Sequence, residues 1–225
     1  MSDKLQSIIQ KYAVAESVAV DAKALLFDGP EPKKVFLYSF YCLDLLSDAF
    51  VADQMHRLPA QRQIRCAGYR RQSDKKACLL SYLFLEDGLR EHHGIIAEPS
   101  FVCNEHGKPY LRDTPHIFFS FSHSGNAVGC AIADFEVGLD IQEVRPFKMG
   151  VARRVCSESE LRQLAASEDA PRLFCKFWTQ RESYAKACGV GVPGFFKRDL
   201  ASDRLMTWED ESFYMSLCIR DTFFS

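Results

Sequence analysis

Apolar residues recur along this chain in two periods, and the switches between them outline its elements. Leu5, Ile8, Ile9 and Tyr12 fall at helical spacing, and the Ala- and Val-rich stretch that follows continues the helix toward Leu26. Asp28-Gly29-Pro30 then breaks it. Residues 34–43, KVFLYSFYCL, are β-branched and aromatic and read as a strand. Leu58-Pro59 opens a second helical region bearing Arg62, Arg65, Arg70, Arg71, Lys75 and Lys76, and residues 77–89, ACLLSYLFLEDGL, continue as a largely buried helix. A polar loop at 104–109 precedes HIFFSFSHS (116–124), which alternates as a strand does. Residues 127–144 read as two strands joined at Asp134-Phe135-Glu136. Ser157 opens a short helix to Ala166 with Glu160 three residues on, a capping box. Pro171 starts a longer helix through Cys188, stopped by Gly189, Gly191 and Pro193. Residues 213–220, FYMSLCIR, form a last strand. The elements do not alternate strictly and no short repeat is present, so an α+β fold is expected rather than a doubly wound sheet.

Composition narrows the class. A chain of 225 residues with 47% hydrophobic and 26% charged residues is an ordinary soluble protein, long enough for one large domain or two packed halves. A formal net charge of −2 gives no reason to expect nucleic acid as a partner. The nine cysteines include no CxxC pair and mostly sit beside apolar residues, so they read as buried thiols in a reducing cytoplasm, not as a zinc site. A basic start followed by an apolar run is missing, and every apolar run falls far below the roughly 20 residues that cross a bilayer. A cytoplasmic protein with no membrane association is therefore expected, and a monomer.

Two acidic positions stand out. In Gly138-Leu139-Asp140-Ile141-Gln142 the strand period puts Asp140 and Gln142 on one face and Leu139 and Ile141 on the other. In Trp178-Thr179-Gln180-Arg181-Glu182-Ser183-Tyr184-Ala185-Lys186, Glu182 and Lys186 share a helix face. Mg²⁺ takes one or two carboxylates, substrate phosphates and water, so Asp140 and Glu182 would suffice. Taken singly, such residues usually cap a strand or form an exposed ion pair. Ser122 and His123 are strand neighbours and point apart, which argues against a serine nucleophile with an adjacent base. His123, Lys108 on a Gly-Lys-Pro turn, and Arg62 and Arg65 on a helix face are candidates for phosphate contacts.

Four segments, in order, resemble the Sfp-type 4′-phosphopantetheinyl transferases. They are Gly107-Lys108-Pro109, FSHSG at 121–125, GLDIQ at 138–142 and FWTQRESYAKACG at 177–189. The last is the most specific, and a looser likeness runs from about Lys34 to the final strand. The resemblance implies two similar α+β halves about a pseudo-twofold axis, 34–136 and 137–225, after an N-terminal helical extension, 1–33. It implies transfer of the phosphopantetheine arm of coenzyme A to a serine of an apo carrier protein, with Mg²⁺ or Mn²⁺ and release of 3′,5′-ADP. Fatty-acid, polyketide, peptide-synthetase and lysine-pathway carriers all fit. By the same resemblance, Asp140 and Glu182 are metal-binding carboxylates and Lys186 lies near the transferred pyrophosphate. Lys108, Ser122 and His123 contact coenzyme A phosphates, Arg62 and Arg65 fall among basic contacts to the 3′-phosphate, and Lys75 and Lys76 lie where basic residues often sit. Three departures are visible. Gln142 stands where many members carry a third carboxylate, which weakens the expected metal affinity and leaves a non-catalytic coenzyme A- or carrier-binding homologue as the alternative. Arg181 replaces a commoner lysine. The short stretch 198–212 leaves little room for a hairpin found in longer members.

Overall fold

The computed structural model describes residues 3–13, 21–27, 33–200 and 204–220. In chain order the elements are α1 (Asp3–Tyr12), β1 (Asp21–Phe27), β2 (Lys33–Phe40), α2 (Ala49–Gln54), α3 (Ala60–Gly68), α4 (Gln72–His93), β3 (Phe101–Cys103), β4 (Pro109–Leu111), β5 (Phe118–Ser124), β6 (Ala127–Ala133), β7 (Val137–Glu143), α5 (Met149–Val155), α6 (Glu158–Ala166), α7 (Ala170–Cys188), β8 (Leu205–Glu209) and β9 (Phe213–Ile219). The class is α+β, with every strand pairing antiparallel. One sheet runs β1-β2-β6-β5, a second runs β7-β9-β8, and β3-β4 form a separate hairpin.

The period of two in the strands builds the layers. On β2 and β6, Tyr38, Phe40, Val128, Cys130 and Ile132 face the long helix α4 and close one core. On the opposite face, Val35, Leu37, Ala127 and Ala131 meet Val137, Leu139 and Ile141 of β7 and Met215 and Leu217 of β9 in a second core between the two sheets. The outer face of β7-β9-β8 is covered by α7. The molecule is thus layered as helix, sheet, sheet, helix. Among the described residues no helix is long and apolar enough to cross a membrane.

The first segment departs from its sequence reading. Helix α1 ends at Tyr12, and residues 21–27, read above as more helix, form strand β1 against β2, with Leu25 opposite Val35. Ala and Leu are good helix formers, but β2 offers an unpaired edge of backbone donors and acceptors, and tertiary pairing outweighs a preference of a few tenths of a kcal/mol per residue. The Lys23 ammonium sits 5.0 Å from the Trp208 ring centroid, so β1 reaches the second sheet as well. The Asp28-Gly29-Pro30 break lies outside the described residues. In the stretch 198–212 the described residues contribute one strand, β8, which pairs with β9 through Trp208 opposite Met215.

Candidate active site

Helix α7 brings the site together because β7 lets it come close. Gly138 lies directly under the helix: a Cβ there would sit 2.0 Å from the Ser183 carbonyl oxygen and 2.3 Å from the Ala187 nitrogen. Two residues on, the same strand face presents Asp140, buried at 6% exposure. From above, Lys186 donates to Asp140 Oδ1 at 2.7 Å and to the Leu139 carbonyl at 3.0 Å. From β5, the Ser122 hydroxyl donates to the same Oδ1 at 2.9 Å. Asp140 Oδ2 is buried and, among the described residues, has no hydrogen-bond partner. Burial pushes the Asp140 carboxyl above the usual carboxylate range, against the pull of Lys186 and Ser122. Glu182, one turn before Lys186, is also pushed up, first by burial and then by the negative charge of Asp140. The aspartate and glutamate, far apart in sequence, are therefore near enough to repel. Among the described residues no three His, Cys, Asp or Glu side chains converge, so the carboxylates here number two.

An orphaned buried carboxylate oxygen beside a second carboxylate fits a hard divalent cation, whose ligands are oxygens. Gln142 shares the face of Asp140 as expected, and its amide nitrogen donates to Ser124 Oγ and the Glu143 carbonyl, both at 3.3 Å. Only its amide oxygen could reach toward a metal.

A cavity of about 750 Å³ opens beside this cluster, with Lys186 in its wall. Arg62, Arg65 and His123 line it together, so three of the sequence-predicted phosphate contacts do converge. The Arg62 guanidinium lies 4.9 Å from the Phe121 ring centroid and 5.6 Å from that of Tyr82, and donates to the Cys78 carbonyl at 3.2 Å, which holds a cation against an apolar wall. Arg65 donates to Tyr69 Oη at 3.3 Å. The His123 imidazole is shifted down, first by desolvation and then by the positive charges of Lys186 and Arg65, against the pull of Asp74.

Three expected contacts have protein partners of their own. Lys76 is buried away from the cavity, donating to the Leu46 carbonyl at 2.5 Å and pairing with Asp48 at 3.0 Å; its position on α4 faces the segment before α2. The Lys108 side chain borders the cavity, but its ammonium is ion-paired with Glu136 and donates to the Ala187 carbonyl at 3.2 Å. Burial lowers Lys108 while Glu136 opposes the shift. With Asn104 donating to the Gly189 carbonyl at 2.7 Å, Lys108 ties the β3-β4 hairpin to the end of α7 instead of presenting a charge to the cavity. The Ser122 hydroxyl is turned toward Asp140 for the same kind of reason: a buried carboxylate is its stronger partner.

Arg181, noted in the sequence only as standing in for a commoner lysine, has a structural role. Arg181 is fully buried and grips Glu160 of α6 with both terminal nitrogens, at 2.7 and 2.5 Å. The capping-box pattern around Glu160 was a visible signal, since its carboxylate also accepts the Ser157 N–H at 2.8 Å.

Two carboxylates and a lysine beside a basic, aromatic-walled cavity suit the binding of a phosphorylated ligand. The family model for the 4′-phosphopantetheinyl transferase superfamily matches residues 136–225, which carry Asp140, Glu182 and Lys186. Over 159 residues the chain is 27% identical to a 4′-phosphopantetheinyl transferase of Bacillus subtilis, covering 69% of this chain and 71% of that one. It is 36% identical over 94 residues to the 4′-phosphopantetheinyl transferase gsp of Aneurinibacillus migulanus, covering 41% and 39% of the two chains. To the L-aminoadipate-semialdehyde dehydrogenase-phosphopantetheinyl transferase of Candida glabrata it is 28% identical over 155 residues, 64% of this chain and 60% of that one. The likeness read from the four motifs therefore holds: residues 136–225 match the 4′-phosphopantetheinyl transferase superfamily model, and the chain is similar to Sfp-type members.

Proposed function

We propose that this protein moves the phosphopantetheine arm of coenzyme A onto a serine hydroxyl of an apo carrier protein in the reducing cytoplasm, with Mg²⁺ at Asp140 and Glu182, and releases 3′,5′-ADP. The observation that carries the reading is the buried Oδ2 of Asp140, without a partner among the described residues, on the carboxylate held by Lys186, which in turn lines a cavity shared with Arg62, Arg65 and His123. Nine free thiols agree with a reducing compartment.

In the balanced reaction, the carrier serine oxygen forms a bond to the phosphorus next to pantetheine, and the bond from that phosphorus to the bridging pyrophosphate oxygen breaks. The serine proton leaves, and the electron pair departs with 3′,5′-ADP. Such transfers depend on alignment and charge neutralisation more than on covalent help from the protein. Asp140, Glu182 and the Gln142 amide would hold the cation, which would supply that neutralisation and Lewis-acid polarisation. Glu182 takes the serine proton directly or through water. Lys186 carries positive charge to the leaving oxygen from the Asp140 side of the cavity. Arg62, Arg65 and His123 bind the 3′-phosphate, an anchor remote from the reacting bond whose binding energy goes into positioning.

The test is transfer of labelled pantetheine from coenzyme A to a panel of apo carrier proteins with Mg²⁺. Asp140→Ala and Glu182→Ala should each reduce the rate by at least about a hundredfold, the loss typical of one preorganised electrostatic group. A rate within about threefold of the parent in either variant would remove that residue from the site.

A further inference from the structure

Strand β5 is the free edge of the first sheet and β7 the free edge of the second, so the backbone N–H groups of β7 facing β5 have no ladder partner. They are satisfied by side chains instead. Ser120, Ser122 and Ser124 stand two residues apart on one face of β5, and their hydroxyls accept the N–H of Leu139 at 2.9 Å, Ile141 at 2.9 Å and Glu143 at 3.1 Å. The register is constant, each serine serving the residue nineteen positions on. Three buried or half-buried hydroxyls thus replace a strip of β-ladder and lock the two sheets together.

The three serines differ in what they do with their own protons. Ser122 alone donates to a carboxylate, Asp140 Oδ1, while accepting from Ile141 N–H and from Lys186 at 3.2 Å. A hydroxyl has one proton to give, so accepting two donors leaves that proton aimed at Asp140. Oδ1 is thereby doubly held, by Ser122 and Lys186, and the carboxylate is pinned with Oδ2 as its open end.

We propose that Ser122 is a positioning residue for the metal site: it fixes the rotation of the Asp140 carboxylate so that Oδ2 is the ligating oxygen. This rests on the metal role of Asp140 proposed above. The role differs from contact with coenzyme A, because the hydroxyl is spent within the protein. Orienting partners of metal ligands typically contribute tenfold to a hundredfold in metal affinity.

The experiment measures Mn²⁺ binding by electron paramagnetic resonance titration of the purified protein, with coenzyme A present and no carrier, alongside urea unfolding. Ser122→Ala should weaken Mn²⁺ binding by about tenfold to a hundredfold. Ser120→Ala removes the same kind of sheet-to-sheet bond and should lower the urea midpoint comparably, yet change Mn²⁺ affinity by less than about twofold. Ser122→Thr, which keeps the hydroxyl, should restore most of the affinity, and Ser122→Cys, a weaker donor of nearly the same size, stands in if the alanine variant does not fold. Asp140→Ala separates the two readings. If Asp140→Ala abolishes Mn²⁺ binding and Ser122→Ala or Ser122→Cys binds as the parent does, the positioning role is wrong and the metal site stands. Equal losses in Ser120→Ala and Ser122→Ala would also overturn the positioning role. If Asp140→Ala binds like the parent, or the parent binds no Mn²⁺, the metal site itself falls and the role of Ser122 falls with it.

Discussion

Replacing Glu160 with alanine should unfold this protein far more readily than any surface charge change. Arg181 is fully buried and makes a two-pronged pair with Glu160, at 2.7 and 2.5 Å, with further bonds to the Arg198 carbonyl at 2.9 Å and the Phe177 carbonyl at 3.3 Å. Removing the carboxylate leaves a guanidinium in the interior with only carbonyl dipoles for company. Breaking one side of a buried pair costs about 3–5 kcal/mol. Glu160 also closes the α6 capping box through the Ser157 N–H, which adds about 0.5–1 kcal/mol. Set against the 5–15 kcal/mol that holds a typical domain folded, this is about a quarter or more of the whole. Urea unfolding followed by circular dichroism reads it directly, with the slope unchanged if the transition stays two-state. The double variant Glu160→Met with Arg181→Met leaves no orphaned charge and should recover at least half of the loss. Arg181→Lys keeps the charge without the fork and should cost about 1–2 kcal/mol. A loss below about 1 kcal/mol for Glu160→Ala, the range of exposed pairs, would refute the reasoning.

Other outcomes follow from the same geometry. Gln142→Glu adds a second negative charge to the strand face of Asp140 and should lower the Mg²⁺ concentration for half-maximal transfer; an unchanged or higher requirement would place Gln142 outside the metal's reach. Because the Asp140 and Glu182 carboxyls are both pushed up, they take protons at higher pH than ordinary carboxylates, so at limiting Mg²⁺ the transfer rate should begin to fall above pH 4–5 as acid is added, and more Mg²⁺ should move that limb to lower pH. The stability sign is the reverse of a paired carboxylate. A folded value raised above the unfolded one means the ionised Glu182 costs stability at neutral pH, so Glu182→Gln should melt higher than the parent at pH 7 without metal, and the gap should close below about pH 4. Lys76→Met should lower the melting temperature and leave the KM for coenzyme A unchanged, whereas Arg62→Met and Arg65→Met should raise that KM; a raised KM for Lys76→Met would return it to the binding surface.

Much of this was written in local pattern. The alternation in β5, β7 and β9, the Ser157 cap, the Gly189 stop with its positive φ of 68°, and the i,i+4 spacing of Glu182 and Lys186 each depend on neighbours a few residues away, and each stands where the sequence put it. Asp140 and Gln142 do share a face opposite Leu139 and Ile141, because a strand has no freedom to do otherwise. The convergence of Arg62, Arg65 and His123 was also foreseeable once the motifs were aligned with a family.

What the chain could not announce locally were choices between partners distant in sequence. Residues 21–27 had helical composition and became a strand because β2 had an edge to fill. Three cations looked alike as phosphate ligands, yet Lys76 went to Asp48 and Lys108 to Glu136, while Arg62 was left facing the cavity against aromatic rings. Ser122 looked like a ligand contact and turned out to hold Asp140. The reason is physical: a strand or helix period is dictated by backbone geometry within a few residues, whereas the partner a charge or hydroxyl takes depends on which carboxylate the folded layers bring within 3 Å and how completely water is shut out there.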